Sequence, residues 1–203
     1  MLTVVIQAGG ESRRMGRDKA LVSFLGQTLI ERVYHRVQEL AAEVVVTTSN
    51  PDILQGLGAR LVVDRLPGRG ALGGLFTALY TATNPYVAVV ACDMPFVSAG
   101  LLSHQLELLV TEECDAVIPK TSVGSEPFHA VYRRATCLKA VQHALQLDSW
   151  RVDSWFGSVS VVYVIPEVIR RYDPHQAAFW NVNTPDELHR AEELAKVLDS
   201  HAV

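Results

Sequence analysis

Residues 4–19 read VVIQAGGESRRMGRDK, and this stretch constrains the fold more than any other. It opens as a short apolar run and turns on Gly9 and Gly10. It then places Arg13, Arg14, Arg17 and Lys19 within seven residues. A strand ending in glycines lets backbone N–H groups approach an anion closely, and clustered cations beside it can neutralise several phosphate oxygens. The spacing matches no standard phosphate loop. After Gly10 the next glycine is Gly16, followed by Arg17, so neither G-x-x-x-x-G-K-[S/T] nor G-x-G-x-x-G is spelled here. A glycine turn followed by a solvated charge run is the alternative reading. Position separates the two, because a loop directly after the first strand of a parallel sheet lies at the edge where ligands bind.

The rest of the chain supplies such a sheet. Thr28 and Glu31 form a capping-box pattern ahead of Leu29, Ile30, Val33, Val37 and Leu40 at helical spacing, and residues 44–46 read as a buried strand. Asn50 and Pro51 open a short helix that stops near Gly58, and residues 61–63 form a third strand ending at Asp64. The glycine loop PGRGALGG at 67–74 runs into an apolar helix over 75–82. A continuous apolar strand over 86–91, typical of a sheet covered on both faces, ends in Cys92-Asp93-Met94-Pro95. Ser98 caps a Leu-rich helix to about Val110, and 116–119 is a further strand. Beyond it the pattern gives strands over 128–132 and 159–164, a helix over 135–147, and a last helix capped by Thr184 with Pro185 and Glu187. This alternation predicts an α/β fold: a doubly wound, mostly parallel sheet in three layers, one domain over residues 1–203. The loop after Ile6, Asp64 and Asp93 then share one edge of the sheet.

Charge and cysteine usage narrow the class. A net charge of -4 argues against a general nucleic-acid binder, which needs a positive surface. Three widely spaced cysteines support neither a disulfide framework nor a C-x-x-C metal site. No apolar run approaches the ~20 residues of a membrane helix, and the start of the chain is unlike a signal peptide. A soluble cytoplasmic protein is expected.

Asp93 has the strongest single argument. A carboxylate directly after a buried strand, beside a phosphate site, is where Mg²⁺ is needed, and Mg²⁺ takes oxygen ligands from one or two carboxylates plus phosphates. An Asp capping the following turn is the competing reading. Asn183 is a second candidate ligand, although Asn before Thr-Pro is equally a turn residue. Asp64 can accept from a guanine N–H edge or ribose hydroxyls, Lys19 can reach a phosphate, and His129 and Arg151 are candidates for an acidic second substrate. Trp150, Trp155 and Trp180 can stack on a ligand or pack in the core. Gly68, Gly70 and Gly73 literally spell G-x-G-x-x-G, but four residues separate Gly68 from the strand it should follow directly, and a dinucleotide site leaves the basic loop unexplained.

Taken together, QAGGESRRMGRDKAL at 7–21, GRGALGGL at 68–75, CDMP at 92–95 and FWNVNTPDEL at 179–188 resemble the nucleotidyltransferases of Rossmann-like GT-A fold, the nucleotide-diphospho-sugar transferase type, and most closely the molybdenum cofactor guanylyltransferases. The four segments span nearly the whole chain in the family's order. The resemblance implies that Gln7, Ala8, Gly9, Gly10 and Lys19 bind the nucleotide, that Asp64 contacts it, and that Asp93 holds Mg²⁺. It also implies that Asn181 and Asn183 lie near the active site, with Arg14 and Lys19 on the β and γ phosphates. The Ala-Gly-Gly form favours GTP over CTP. Gln7 stands where the family usually has leucine, Ala71 where it has proline, and Thr47 where relatives can carry asparagine. The implied reaction is attack by the terminal phosphate of molybdopterin, or of Mo-molybdopterin, on the α-phosphorus of GTP, releasing pyrophosphate, with transient contacts to molybdopterin-loading proteins and molybdoenzyme chaperones. The alternatives are CTP or another phosphate acceptor, or a non-catalytic nucleotide-binding maturation factor.

Overall fold

The computed structural model describes residues 1–9 and 19–200. Strand β1 (Leu2–Gln7) is buried on both faces, Val4 and Ile6 toward one side of the sheet and Val5 toward the other. A small antiparallel hairpin, β2 (Ser23–Phe24) and β3 (Gln27–Thr28), turns at Leu25 and Gly26, both with positive φ. It feeds α1 (Leu29–Val37), whose predicted capping box is closed: Thr28 Oγ1 accepts the Glu31 N–H, and the Glu31 carboxylate accepts the Thr28 N–H. There follow β4 (Glu43–Thr48), β5 (Arg60–Val63), α2 (Gly70–Thr81), β6 (Tyr86–Ala91), α3 (Ala99–Thr111) and β7 (Ala116–Pro119). The chain continues with β8 (His129–Arg133), α4 (Arg134–Gln146), β9 (Val161–Val164), α5 (Pro166–Tyr172) and α6 (Pro185–Ser200).

Seven strands form one mostly parallel sheet in the order β5-β4-β1-β6-β8-β7-β9, with β8 antiparallel to both its neighbours. From β1 the chain moves outward to β4 and β5, then returns to place β6 on the other side of β1. Connections therefore leave β1 and β6 in opposite directions, and their carboxyl ends part to leave a crevice between them. The ladder persists just past both strands: Ala8 N–H donates to Thr47 O at 2.8 Å and Cys92 N–H to Gln7 O at 3.0 Å. The first residue of each loop is thus still hydrogen-bonded to the neighbouring strand.

Alternation along the strands divides the core. Leu2, Val4, Ile6, Ala88 and Val90 pack under Ile30 and Val33 of α1, Leu101 and Leu102 of α3 and Ile169 of α5. Val5, Val45, Val87 and Val89 pack under Leu72, Leu75 and Leu79 of α2, Val141 of α4 and Trp155. A third cluster joins Val22, Phe24 and Phe96 to Val182 and to Ala191 and Ala195 of α6. At ~25 cal/mol per Å² of apolar surface, these clusters supply most of the drive to fold.

Three expectations shift. The short helix after Asn50 is only a 3-10 turn, Pro51–Leu54, too brief to bury an apolar face of its own. The helix expected over 75–82 begins at Gly70, inside the glycine loop, because Gly68 and Gly70 take up the positive φ of the turn (82° and 60°) and leave the rest free to be helical. Helix α5, with Pro166 in its first turn, went unread because seven residues give too little periodicity.

Candidate active site

The crevice between β1 and β6 opens into a cleft of about 790 Å³. Gln7, Ala8 and Gly9 enter it from β1, Ser49 from β4, Asp64 from β5, Cys92 and Asp93 from β6, and Gly68, Gly70, Ala71 and Gly74 from the start of α2. Lys19, Pro67, Ala91 and Phe128 complete the lining. Gln7, Ser49, Asp64 and Asp93 meet here because each ends or follows a parallel strand of the same sheet, and Phe128 joins them from the start of the antiparallel β8.

At one end three of the sequence candidates converge. The Lys19 ammonium donates to Asp93 Oδ2 at 3.1 Å and to Asn183 Oδ1 at 2.6 Å. Asn183 is brought there by its neighbour: Val182 N–H donates to Asp93 O at 2.9 Å, while the Val182 side chain is buried against α6 and the hairpin. A carboxylate oxygen and an amide oxygen thus close on one cation, with the lysine ammonium as the charge between them.

Helix α6 fixes this arrangement. Thr184 Oγ1 accepts the Glu187 N–H at 3.2 Å, as an N-cap should, and the Glu187 carboxylate accepts the N–H of Asn183 at 2.8 Å. The cap of α6 thereby reaches the backbone of a site residue. That hydrogen bond, with lesser help from the hydroxyl and N–H of Thr184 and from the Lys19 charge, holds the Glu187 carboxyl below its ordinary range. Asn181 lies behind the site: its Nδ2 donates to Phe179 O and its own carbonyl accepts from Asn183 Nδ2. It shapes the turn that presents Asn183. From the other side, Arg32 Nε donates to Pro95 O and Arg36 Nε to Val97 O, so α1 clamps the loop that carries Asp93.

Asp64 lines the cleft and also stabilises its own turn. Its Oδ1 accepts the Thr77 hydroxyl at 2.6 Å and the Leu66 N–H at 3.1 Å, leaving Oδ2 for a ligand. The N-terminus of α2, which also lines the cleft, has no side-chain cap, so its first N–H groups are suited to an anion. Arg69 is turned away to Asp148 (2.7 Å) and the Leu145 carbonyl, with the Trp150 ring 4.7 Å from its guanidinium carbon. The literal G-x-G-x-x-G therefore has a local explanation. Gly68 and Gly70 turn the chain, and Gly73 admits close packing, since a Cβ there would lie 2.7 Å from Arg69 Cβ and 3.0 Å from Leu66 O.

Two candidates lie apart from the cleft. His129 is fully buried on the face of β8 opposite Phe128, where its Nε2 accepts the Ser98 N–H at 3.0 Å and its ring meets Phe179 edge-on. Burial depresses its pKa from 6.5 to about 4, and no second substrate reaches it. Arg151 is exposed, pairs with Asp153 two residues away at 2.7 Å, and is not part of the cleft lining. Of the tryptophans, Trp155 is core, Trp180 packs on Phe96, and Trp150 lies on the surface against Arg69. Gly10 and Arg14 lie outside the described residues. The sequence reading passed over Ser49, Gly74, Phe128 and the Glu187–Asn183 contact. Only Glu187 carried a signal, its capping spacing.

The oxygen donors suit a hard divalent cation. Among the described residues no group of three or more His, Cys, Asp or Glu side chains converges, so an all-protein cage is not present there. Asp93 and Asn183 fit a cation that draws its remaining ligands from phosphates and water, as Mg²⁺ does. Among the described residues no helix is long and apolar enough to cross a membrane.

A glycine-edged cleft at the switch point of a parallel sheet, with Lys, Asp and Asn at one end and an uncapped helix N-terminus in its wall, defines the class of α/β nucleotidyltransferases. Residues 4–156 match the MobA-like NTP transferase domain, and the chain belongs to that family. It is 36% identical over 194 residues to a probable molybdenum cofactor guanylyltransferase of Pelotomaculum thermopropionicum, covering 96% of this chain and 93% of that one. A molybdenum cofactor guanylyltransferase of Desulfosudis oleivorans is 32% identical, with 96% of both chains covered. The crystal structure of molybdopterin-guanine dinucleotide biosynthesis protein A from Archaeoglobus fulgidus superposes with a TM-score of 0.82 at 30% identity, covering 96% of this chain and 98% of that one.

Proposed function

We propose that this protein transfers GMP from GTP to the terminal phosphate of molybdopterin. The observation that carries the proposal is that Lys19 and Asp93, both lining the switch-point cleft, converge with Asn183 on one cation position. The names of its relatives support molybdopterin as acceptor. A phosphate oxygen of the acceptor attacks the α-phosphorus, the bond from that phosphorus to the bridging oxygen breaks, and pyrophosphate leaves with the electron pair. A phosphate monoester is largely dianionic near neutral pH, so no general base is required. The work left to the protein is alignment and charge stabilisation.

Gly9 and the N-terminus of α2 cradle phosphate oxygens through backbone N–H groups. Lys19, with Arg14 five positions before it, neutralises the β and γ phosphates and the charge that grows on the leaving pyrophosphate. Asp93 and Asn183 are the residues that would hold Mg²⁺, which when bound supplies charge neutralisation at the α-phosphate. Asp64 Oδ2 accepts from the base or the ribose. The reaction belongs in the cytoplasm, and its product passes to molybdoenzymes through transient contacts with molybdopterin-loading proteins and chaperones.

Pyrophosphate release, measured with GTP or CTP, with and without molybdopterin, and with EDTA in place of Mg²⁺, tests the proposal. Release is expected only with GTP, acceptor and Mg²⁺ together. Equal turnover of CTP, or turnover with a sugar phosphate in place of molybdopterin, would reassign the substrates.

A further inference from the structure

Gln7 ends β1 at the floor of the cleft, and among the described residues its Nε2 is buried without a hydrogen-bond partner. The other buried side-chain atoms in that condition, on Gln105, His129 and Trp155, belong to residues that do not line the cleft. Alternation along β1 puts Gln7 on the same side as Val5, toward α2. There it lies against Gly74: a Cβ on residue 74 would stand 2.6 Å from Gln7 Oε1 and 3.3 Å from Cδ and Nε2. The amide therefore occupies space that any other residue at 74 would fill. A glycine inside a helix and an unpaired buried N–H both cost stability, and here the two costs coincide in a ligand-binding wall.

The sheet order locates Gln7 along a bound nucleotide. Asp93 follows β6, Gln7 ends β1, Ser49 follows β4 and Asp64 follows β5, on successive neighbouring strands. Strand spacing of about 4.8 Å puts the β5 position about 14 Å from the β6 position. With phosphates at the Lys19–Asp93 end, the base lies toward Gln7, Ser49 and Asp64. An amide N–H lacking an acceptor calls for a carbonyl oxygen, and the accept-only carboxylate of Asp64 calls for ring and exocyclic N–H donors. A 6-oxopurine with a 2-amino group offers both on one edge.

Resting on the guanylyl-transfer reading, we infer that Gln7 is a specificity-determining residue whose amide donates to O6 of guanine, and that Gly74 is the residue that makes room for it. The test is calorimetric titration of the full chain, with Mg²⁺, by GTP and by 6-thio-GTP, whose sulfur is a weak acceptor. Gln7→Ala is expected to weaken GTP about tenfold while leaving 6-thio-GTP within about twofold of the wild type. Gly74→Ala, which drives a methyl into the amide, is expected to reproduce the loss for GTP and to add nothing in the Gln7→Ala background. Equal losses for both nucleotides, or none for either, overturn the role of Gln7 while leaving guanylyl transfer intact. Failure of the wild type to bind GTP overturns both.

Discussion

Acid should destabilise this protein through one buried imidazole. His129 has no exposed surface, its Nε2 is committed to the Ser98 N–H, and burial holds its pKa at about 4 against 6.5 when exposed. Between those values the unfolded chain binds a proton that the folded chain refuses, so stability rises with pH across this window. The contribution is complete above pH 6.5 and is lost as pH falls toward 4. At up to 1.36 kcal/mol per pH unit between the two pKa values, the descent from pH 7.5 to 4.5 removes about 2.5 kcal/mol, or about 5–10 °C in Tm for a chain of this size. The carboxylates of Glu31, Glu43 and Asp199, all depressed below their ordinary values, add to the loss only below about pH 4.5. Urea unfolding at half-unit steps from pH 7.5 to 4.5, for the wild type and for His129→Gln, isolates the effect. Gln can still accept the Ser98 N–H but does not titrate, so its profile should be flatter by about 2–3 kcal/mol. Parallel profiles for the two proteins would refute the reasoning.

Asp93→Ala should lower kcat about 10²–10³-fold with the fold retained, measured by pyrophosphate release and circular dichroism; near-wild-type turnover would separate this carboxylate from the chemistry. Glu187→Ala removes the acceptor for Asn183 N–H and should reduce kcat/KM for GTP about tenfold, whereas Glu187→Gln, which keeps an acceptor oxygen, should restore most of it. If both variants behave alike, the carboxylate is not positioning Asn183. Gly73→Ala should destabilise by about 1–3 kcal/mol in chemical denaturation, against the usual gain for Gly→Ala in a helix, because the methyl meets Arg69 Cβ and the Leu66 carbonyl. A stabilised variant would show that the Arg69 turn can yield.

Local pattern carried much of the fold into view. The Thr28–Glu31 box and the Ser98 cap are short-range hydrogen bonds, and their spacing alone specifies them. The apolar run at 86–91 could only be a strand covered on both faces, and a carboxylate directly after it had to emerge at the edge of the sheet. The same locality limits what such patterns reach. His129 and Arg151 look alike as lone polar residues, yet strand alternation turns one inward onto Ser98 and a neighbouring Asp153 holds the other at the surface.

By itself, the order of strands and helices determined that a parallel sheet would form and that Gly9, Asp64 and Asp93 would share its carboxyl edge, because each depends only on what directly follows an apolar run. Tertiary structure alone decided which of them act together. Lys19, Asp93 and Asn183 meet because β6 returns beside β1 and Val182 is pinned under α6. Gln7 meets Gly74 because α2 crosses the end of β1. Such contacts span up to 164 positions, and no spacing along the chain encodes them. They follow from how whole elements pack to bury their apolar faces.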